Sequence, residues 1–336
     1  MRFCNFYERE GELANIVRVG FVHAGLIRPV APLLPEHNWL EEAYGRPQGI
    51  GFDFIQNTVL DLGEWQRGIL SLTTDQLNDS VGFVPDAVGF LPPVYPLCTL
   101  RDGYSFEEHV RNARAKRNLE VAPEWYEAPV YYFSNPNSIL GHEEDVEVPR
   151  LGQWLDFECE IAVVIGQQGV NIPVEDAENY IAGYTVFNDW SLRDIQRKEM
   201  AVGLGPSKGK DFASSLGPYL VTPDELEDAR DGKGYNLKTA VRINGKEITS
   251  NNWNTINFSF AEMISRFSQN AALFPGDVIG SGTVGRGCML EIGPQPDVCK
   301  GIDGWLGAGD VVELEVERLG VLRNRIVPPA EDATRY

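Results

Sequence analysis

Two glutamates separated by one residue, Glu158 and Glu160, stand in the otherwise largely apolar run Leu155-Asp156-Phe157-Glu158-Cys159-Glu160-Ile161-Ala162-Val163-Val164-Ile165. Strand side chains alternate between faces, so residues two apart point the same way. One face carries Leu155, Phe157, Cys159, Ile161, Val163 and Ile165. The other carries Asp156, Glu158 and Glu160, then Ala162 and Val164. Neighbouring carboxylates repel, and burying them unpaired is costly. A cation between them resolves both problems; a solvated strand face is the alternative. Asp102 and Asp189 stand out beside them, and no histidine or cysteine pair at zinc-ligand spacing accompanies the four acids. Hard oxygen donors of this kind suit Mg²⁺, Ca²⁺ or Mn²⁺ rather than zinc or copper.

The elements that must position these acids read as strands joined by short helices. The pattern predicts a strand over Trp154–Ile165 and another over Ala182–Phe187, ending in Asn188-Asp189. Asp102 falls just before Ser105-Phe106-Glu107-Glu108, an S-x-x-E capping box. It predicts a helix through Asn118 with Phe106, Val110 and Ala113 on the buried stripe. Helices are also expected over Val174–Tyr180, Arg193–Glu199 and Phe258–Phe267. Gly203–Lys210 reads as a glycine-rich loop. Leu237–Ile243, Val278–Gly280 and Val311–Leu319 read as strands, with a hairpin turn at Asn244-Gly245. Gly276-Asp277 and Gly309-Asp310 read as strand-entry turns.

The first ninety or so residues hold short β-like runs, such as Asn15–Val22, and helical pieces near Asp61–Leu72 and Thr74–Asn78. The proline-dense Leu91–Leu97 cannot form regular helix or interior strand and reads as a linker. The expected organisation is a small β-rich N-terminal domain over 1–95, a catalytic domain over 96–327 and a polar tail over 328–336.

Composition narrows the function classes. A chain of 336 residues with 43% hydrophobic content supports a full core. No stretch approaches the roughly 20 apolar residues of a membrane helix. The start is too polar for a secretory signal, and a cytoplasmic location is expected. The five scattered cysteines point to buried free thiols in a reducing compartment. A net charge of −20 disfavours nucleic acid and anionic membranes as partners. Of the four histidines, His23 and His37 read as surface or packing residues, and His142, beside Glu143 and Glu144, as a solvated turn residue.

Asp156–Gly166, followed by Gly183-Tyr184-Thr185-Val186-Phe187-Asn188-Asp189-Trp190-Ser191-Leu192-Arg193-Asp194-Ile195-Gln196, resembles the fumarylacetoacetate hydrolase family. The ExE strand, the N-D-x-S-x-R-D-x-Q run and the later Ser281-Gly282-Thr283 occur in the family's order between about Leu91 and Arg325, and Tyr131–Gly141 also looks like a family strand. The resemblance implies a mixed β-sandwich roll, a homodimer, and a divalent metal held by Asp102, Glu158, Glu160 and Asp189. Mg²⁺ is the first expectation, with Ca²⁺ or Mn²⁺ as alternatives. In the fumarylacetoacetase branch a tyrosine follows the aspartate ligand by two residues and a histidine by seven. Asp102, Tyr104 and His109 keep that spacing. The branch pairs that histidine with a glutamate in a strand after S-G-T, here Glu291. The family's glutamine matches Gln196, and its G-K-x-F lysine matches Lys210 rather than Lys208.

These assignments imply hydrolysis of a C–C bond in a 1,3-dicarbonyl or acylpyruvate-like substrate. His109, held by Glu291, takes a proton from water, since imidazoles titrate near neutrality. Lys210 and Gln196 donate to the oxyanion, and the metal stabilises the departing enolate. Tyr104, Arg117, Tyr132 and Thr283 are the expected substrate contacts. Other branches implying 2-oxo acid decarboxylation or tautomerisation, and a non-catalytic ligand-binding role, stand as alternatives. The family's substrate arginine has no match in register, Arg114 and Arg117 being the near ones. Its Y-H-G-R strand is replaced by Tyr132-Phe133-Ser134-Asn135, and its glycine-rich insert is shortened to Gly285-Arg286-Gly287-Cys288. All three departures lie where substrate is read.

Overall fold

In a computed structural model, which describes residues 1–10, 17–34, 62–95 and 97–330, the β-branched run Cys159–Ile165 forms a central strand with every side chain buried. Its alternation is partitioned between two cores. Cys159, Ile161, Val163 and Ile165 join the main core, whereas Ala162 and Val164 join a second one. A strand wrapped on both faces is rich in β-branched residues for this reason.

This strand sits inside a twelve-stranded mixed sheet. Ile181–Asp189 pairs antiparallel on one side, with Glu160 opposite Phe187. Val278–Gly280 pairs antiparallel on the other, followed by Leu100–Gly103 in parallel and Tyr131–Ser134 as its antiparallel neighbour. At the far side, Arg2–Glu8 reaches Ile181–Asp189 through Leu220–Val221, and Arg18–His23 and Leu26–Pro29 extend it. The amino-terminal strands therefore belong to the same sheet as the acid-bearing strands. A five-stranded sheet, in the order Lys246–Asn252, Lys238–Ile243, Val311–Val316, Gly320–Val327, Asp145–Glu147, supplies the second layer. The main core lies between the layers and includes the fully buried Trp190, Trp253, Phe157 and Phe267. The expected mixed β architecture with short helices is the one observed.

Several local expectations need correction. The acid-bearing strand is broken: Leu155–Asp156 pairs with Ser191–Leu192, and Cys159–Ile165 resumes after Phe157 and Glu158. The Ser105 capping box does not form. The helix spans Glu107–Ala115 with Phe106 as an uncapped N-cap, and the Ser105 hydroxyl lies 3.0 Å from Met263 Sδ. Ala113 is only half-buried. Val174–Tyr180 is a 3₁₀ helix. A capping box does form at Ser259 and Glu262, ahead of the Phe260–Phe267 helix. The Asn244-Gly245 turn takes φ of 53° and 80°, as a two-residue hairpin requires.

His142 is not a solvated turn residue. It packs edge-on against Phe90, and its Nδ1 accepts the Arg323 N–H at 3.1 Å. The proline-dense segment is packed too: the Asn5 amide donates to the carbonyls of Pro92 and Pro93, and Val94 and Leu97 are buried. His37, Asn15, Ile16 and Asp61 lie outside the described residues. The cysteines are free; Cys98 is half-buried and the other four are buried.

Candidate metal and active site

Four strands or strand ends bring the acids together. Asp102 lies in Leu100–Gly103 opposite Gly280, Glu160 in the central strand, Glu158 at its break, and Asp189 at the end of Ile181–Asp189. One carboxylate oxygen from each falls within 4.8 Å of the others. All four are buried, Glu160 and Asp189 completely, so the solvated-face reading of the glutamate pair fails. Glycine makes room for them. A Cβ at Gly280 would stand 2.5 Å from Asp102 Oδ1. Gly282, at φ 78°, turns its N–H onto the same oxygen at 3.3 Å.

Charge in this cluster is incompletely balanced. Lys210 Nζ lies 2.5 Å from Glu158 Oε2 and 2.5 Å from Asp189 Oδ2. The Tyr132 hydroxyl donates to Asp189 Oδ2, and Thr283 Oγ1 donates to Glu160 Oε1 at 3.3 Å. Glu160 Oε2 and Asp189 Oδ1 are buried with no hydrogen-bond partner. Burial pushes the Asp102 and Glu160 carboxyls well above their usual range, and the neighbouring carboxylates push them further. Burial also acts on Glu158, but Lys210 and Arg193 outweigh it and hold that carboxyl low. Orphaned, mutually repelling, all-oxygen donors are what a hard divalent cation satisfies. The residues present fit such an ion.

The second group is built on a helix. His109 is buried on Glu107–Ala115, and its Nδ1 is 2.7 Å from Glu291 Oε2. Glu291 sits on a short helix, Met289–Ile292, not on the strand expected for it. Burial would raise its carboxyl, but hydrogen bonds from His109, Asn112 and the Arg286 N–H hold it below its usual range. An ionised Glu291 can only accept, so Nδ1 carries a proton, and in the neutral imidazole the lone pair is on Nε2. The Arg286 backbone N–H donates to Glu291 Oε1 at 2.9 Å.

Three residues that link the two groups escaped the sequence reading as site residues. Asp156 accepts the backbone N–H groups of Met289 and Leu290 at 2.9 Å each, which anchors the helix of Glu291. Arg193 joins Asp156 at 2.7 Å to Glu158 at 2.8 Å. The Asn188 side chain accepts the Glu158 N–H at 2.9 Å and satisfies the backbone at the strand break. All three stand in the motif runs, but their partners are distant in sequence and no spacing exposes them.

Both groups face one cavity of about 470 Å³. Asp102, Glu158, Glu160, His109, Lys210, Gln196, Tyr104, Tyr132, Thr283, Arg114 and Arg117 contribute to its walls. Glu291 stands behind His109 and Asp189 behind Lys210, outside the lining. Gln196 Oε1 accepts from Arg193 at 2.9 Å, leaving its amide N–H groups as donors. Arg114 is tied by its Nε to the Glu120 carbonyl, whereas Arg117 has no ion pair among the described residues. Lys208 is exposed and paired with Asp211 at 2.9 Å. No helix among the described residues is long and apolar enough to cross a membrane.

Comparison with known proteins places this arrangement. The family described as fumarylacetoacetate (FAA) hydrolase C-terminal matches residues 98–327. An oxaloacetate tautomerase of human mitochondria, FAHD2A, is 34% identical over 275 residues, covering 81% of each chain. An uncharacterised protein of Archaeoglobus fulgidus is 33% identical over 241 residues, 72% of this chain and 83% of its own. Among solved structures, fumarylacetoacetate hydrolase from Exiguobacterium antarcticum superposes with a TM-score of 0.69 at 23% identity, covering 98% of this chain and 100% of that one. Maleylpyruvate hydrolase from Sphingobium sp. SYK-6 has the same score at 18% identity, with the same coverage. The neighbours that carry a named activity are enzymes, hydrolases and isomerases or tautomerases alike. The chain belongs to the fumarylacetoacetate hydrolase family.

Proposed function

We propose that the protein is a divalent-metal-dependent enzyme that hydrolyses a C–C bond in a 1,3-dicarbonyl, acylpyruvate-like acid. The observation that carries this reading is the buried His109–Glu291 contact, 2.7 Å long, at the wall of the cavity that holds the acids. Asp102, Glu158, Glu160 and Asp189 would hold the cation, which when bound supplies Lewis-acid stabilisation of enolate charge. Glu291 fixes the imidazole with Nε2 as its basic nitrogen, and His109 takes a proton from water there. The hydroxide adds to the distal carbonyl carbon. The bond to the central carbon then breaks, its electron pair leaves as an enolate, and reprotonation yields a carboxylate and a 2-oxo acid. Lys210 and the amide N–H groups of Gln196 are the donors available to oxygen as charge develops on it.

A second reading is tautomerisation of a 2-oxo acid, in which His109 moves a proton and no water is consumed. Relatives named oxaloacetate tautomerases, at 32–34% identity over four fifths of the chain, support it. The cavity, about 470 Å³ with an apolar wall, is more than a four-carbon acid fills and favours a substrate larger than oxaloacetate. Incubation of the Mg²⁺-loaded protein with acetylpyruvate in ¹⁸O-water separates the two. Hydrolysis puts label into the acetate. Unlabelled, uncleaved acetylpyruvate alongside rapid oxaloacetate enolisation would favour tautomerisation instead.

A further inference from the structure

The orientation of His109 depends on Glu291, whose own carboxylate is held by four donors. Oε1 accepts the Asn112 amide at 3.0 Å and the Arg286 N–H at 2.9 Å. Oε2 accepts His109 Nδ1–H at 2.7 Å and the Cys288 thiol at 3.3 Å. The Glu291 side chain is 1% exposed, so bulk solvent takes no part in holding it. Three of the donors are N–H groups, the usual partners of a buried carboxylate. The fourth is a thiol, a weak donor, and it shares its acceptor oxygen with the imidazole.

Cys288 differs from the other four cysteines. Cys98 reaches the Pro275 carbonyl at 3.6 Å and Cys299 the Met289 sulfur at 4.0 Å, whereas Cys4 and Cys159 are packed in apolar cores. Only Cys288 has a carboxylate acceptor among the described residues. Its main chain is fixed on both sides. The Gly287 carbonyl accepts the Cys159 N–H at 2.9 Å, and the Met289 N–H is held by Asp156 at 2.9 Å. Its own carbonyl accepts the Glu291 and Ile292 N–H groups at 3.2 and 3.3 Å, which starts the short helix. The sulfur stands 4.0 Å from His109 Nδ1. That nitrogen carries a proton toward Glu291, so Oε2 is the acceptor left for the S–H. Burial pushes the thiol well above its ordinary value against the pull of Arg193, and it remains a protonated donor at neutral pH.

We propose that Cys288 is a positioning residue for the His109–Glu291 pair: its S–H occupies the second lone pair of Oε2 and fixes the carboxylate in the rotation that receives Nδ1–H. Without it, a buried oxygen loses a donor that bulk water does not replace, and the carboxylate is freer to turn about its terminal bond. The inference rests on the reading of His109 as the group that moves the proton, and it holds for hydrolysis and tautomerisation alike.

Two readouts test it, one of them independent of turnover. The first is exchange of the His109 Nδ1 proton with water, followed by NMR of the Mg²⁺-loaded protein and assigned by its loss in His109→Ala. Cys288→Ala is expected to speed this exchange about fivefold or more. Cys288→Ser, which keeps a donor at the same position, should restore the parental rate to within about twofold. The second is kcat and KM on acetylpyruvate or oxaloacetate, whichever the parent converts. Cys288→Ala should lower kcat about fivefold with KM within about twofold, and Cys288→Ser should recover most of the loss. A packing role alone predicts the opposite order, since a hydroxyl is costlier to bury than a methyl group. Parental exchange in Cys288→Ala, or equal impairment in both variants, would overturn the proposal. If the thiol governs exchange and acetylpyruvate is not cleaved, the positioning stands and the hydrolytic reading falls.

Discussion

Asp156 holds the backbone N–H of Met289 at 2.9 Å, across 133 residues of chain. Through this contact and the neighbouring one to Leu290, the strand that precedes Glu158 sets the helix that carries Glu291. The strand of Glu158 and the helix of Glu291 are thus tied together, with Arg193 as the bridge. Asp156→Asn keeps the shape but leaves Arg193 short of a buried partner. Loss of about 3 kcal/mol of stability is expected by urea denaturation, with turnover falling as well. An unchanged midpoint and slope would show that the link is not structural.

His109→Ala removes the nitrogen assigned to proton transfer. Turnover is expected to fall by about 10²–10⁴-fold, while Mg²⁺ still raises the melting temperature as in the parent. Glu291→Gln should lower turnover too, because a neutral amide no longer enforces the proton on Nδ1. Retention of parental rates by either variant assigns the base elsewhere.

Gly280→Ala places a methyl carbon 2.5 Å from Asp102 Oδ1, well inside van der Waals contact. The substitution should move the Asp102 carboxylate and weaken cation binding at least about tenfold, since ligand placement governs affinity in such sites. Calorimetric titration with Mn²⁺ checks it. Parental affinity would mean that Asp102 is not a ligand.

Burial holds the His142 imidazole below its ordinary value of 6.5, against the pull of Glu143 and with the support of Arg323 and Arg9. As pH falls below that value, the unfolded chain takes up this proton before the folded one does. Stability from His142 is therefore complete above about pH 6.5 and is lost as pH falls toward the lowered folded value. His142→Gln should flatten the fall in unfolding free energy between pH 7 and pH 5. An identical slope in both proteins would remove His142 from the pH dependence.

The legibility of the chain in sequence followed the range of its interactions. Alternation in Cys159–Ile165 and the Asn244-Gly245 turn are local, and the sequence pattern marks them. The four acids were legible as residue types, and their grouping followed from ordered motifs. The failures are tertiary. Ser105 has a capping pattern, yet its hydroxyl turns to Met263 and its N–H to the Ser281 carbonyl. Glu291 reads as strand-borne, but two N–H groups bound by Asp156 make the start of a helix there. His142 carries two acidic neighbours and still packs on Phe90, because Phe90 arrives from a distant strand.

The most direct measurement is the ion count of protein stripped with chelator and returned to Mn²⁺ or Mg²⁺. One ion per chain is expected in the parent, with about 2.7 kcal/mol of added stability at a hundredfold excess over Kd. Glu160→Gln should bind at least about tenfold more weakly and lose most of that stabilisation. Equal stoichiometry, affinity and stabilisation in parent and variant would contradict a cation held by Asp102, Glu158, Glu160 and Asp189.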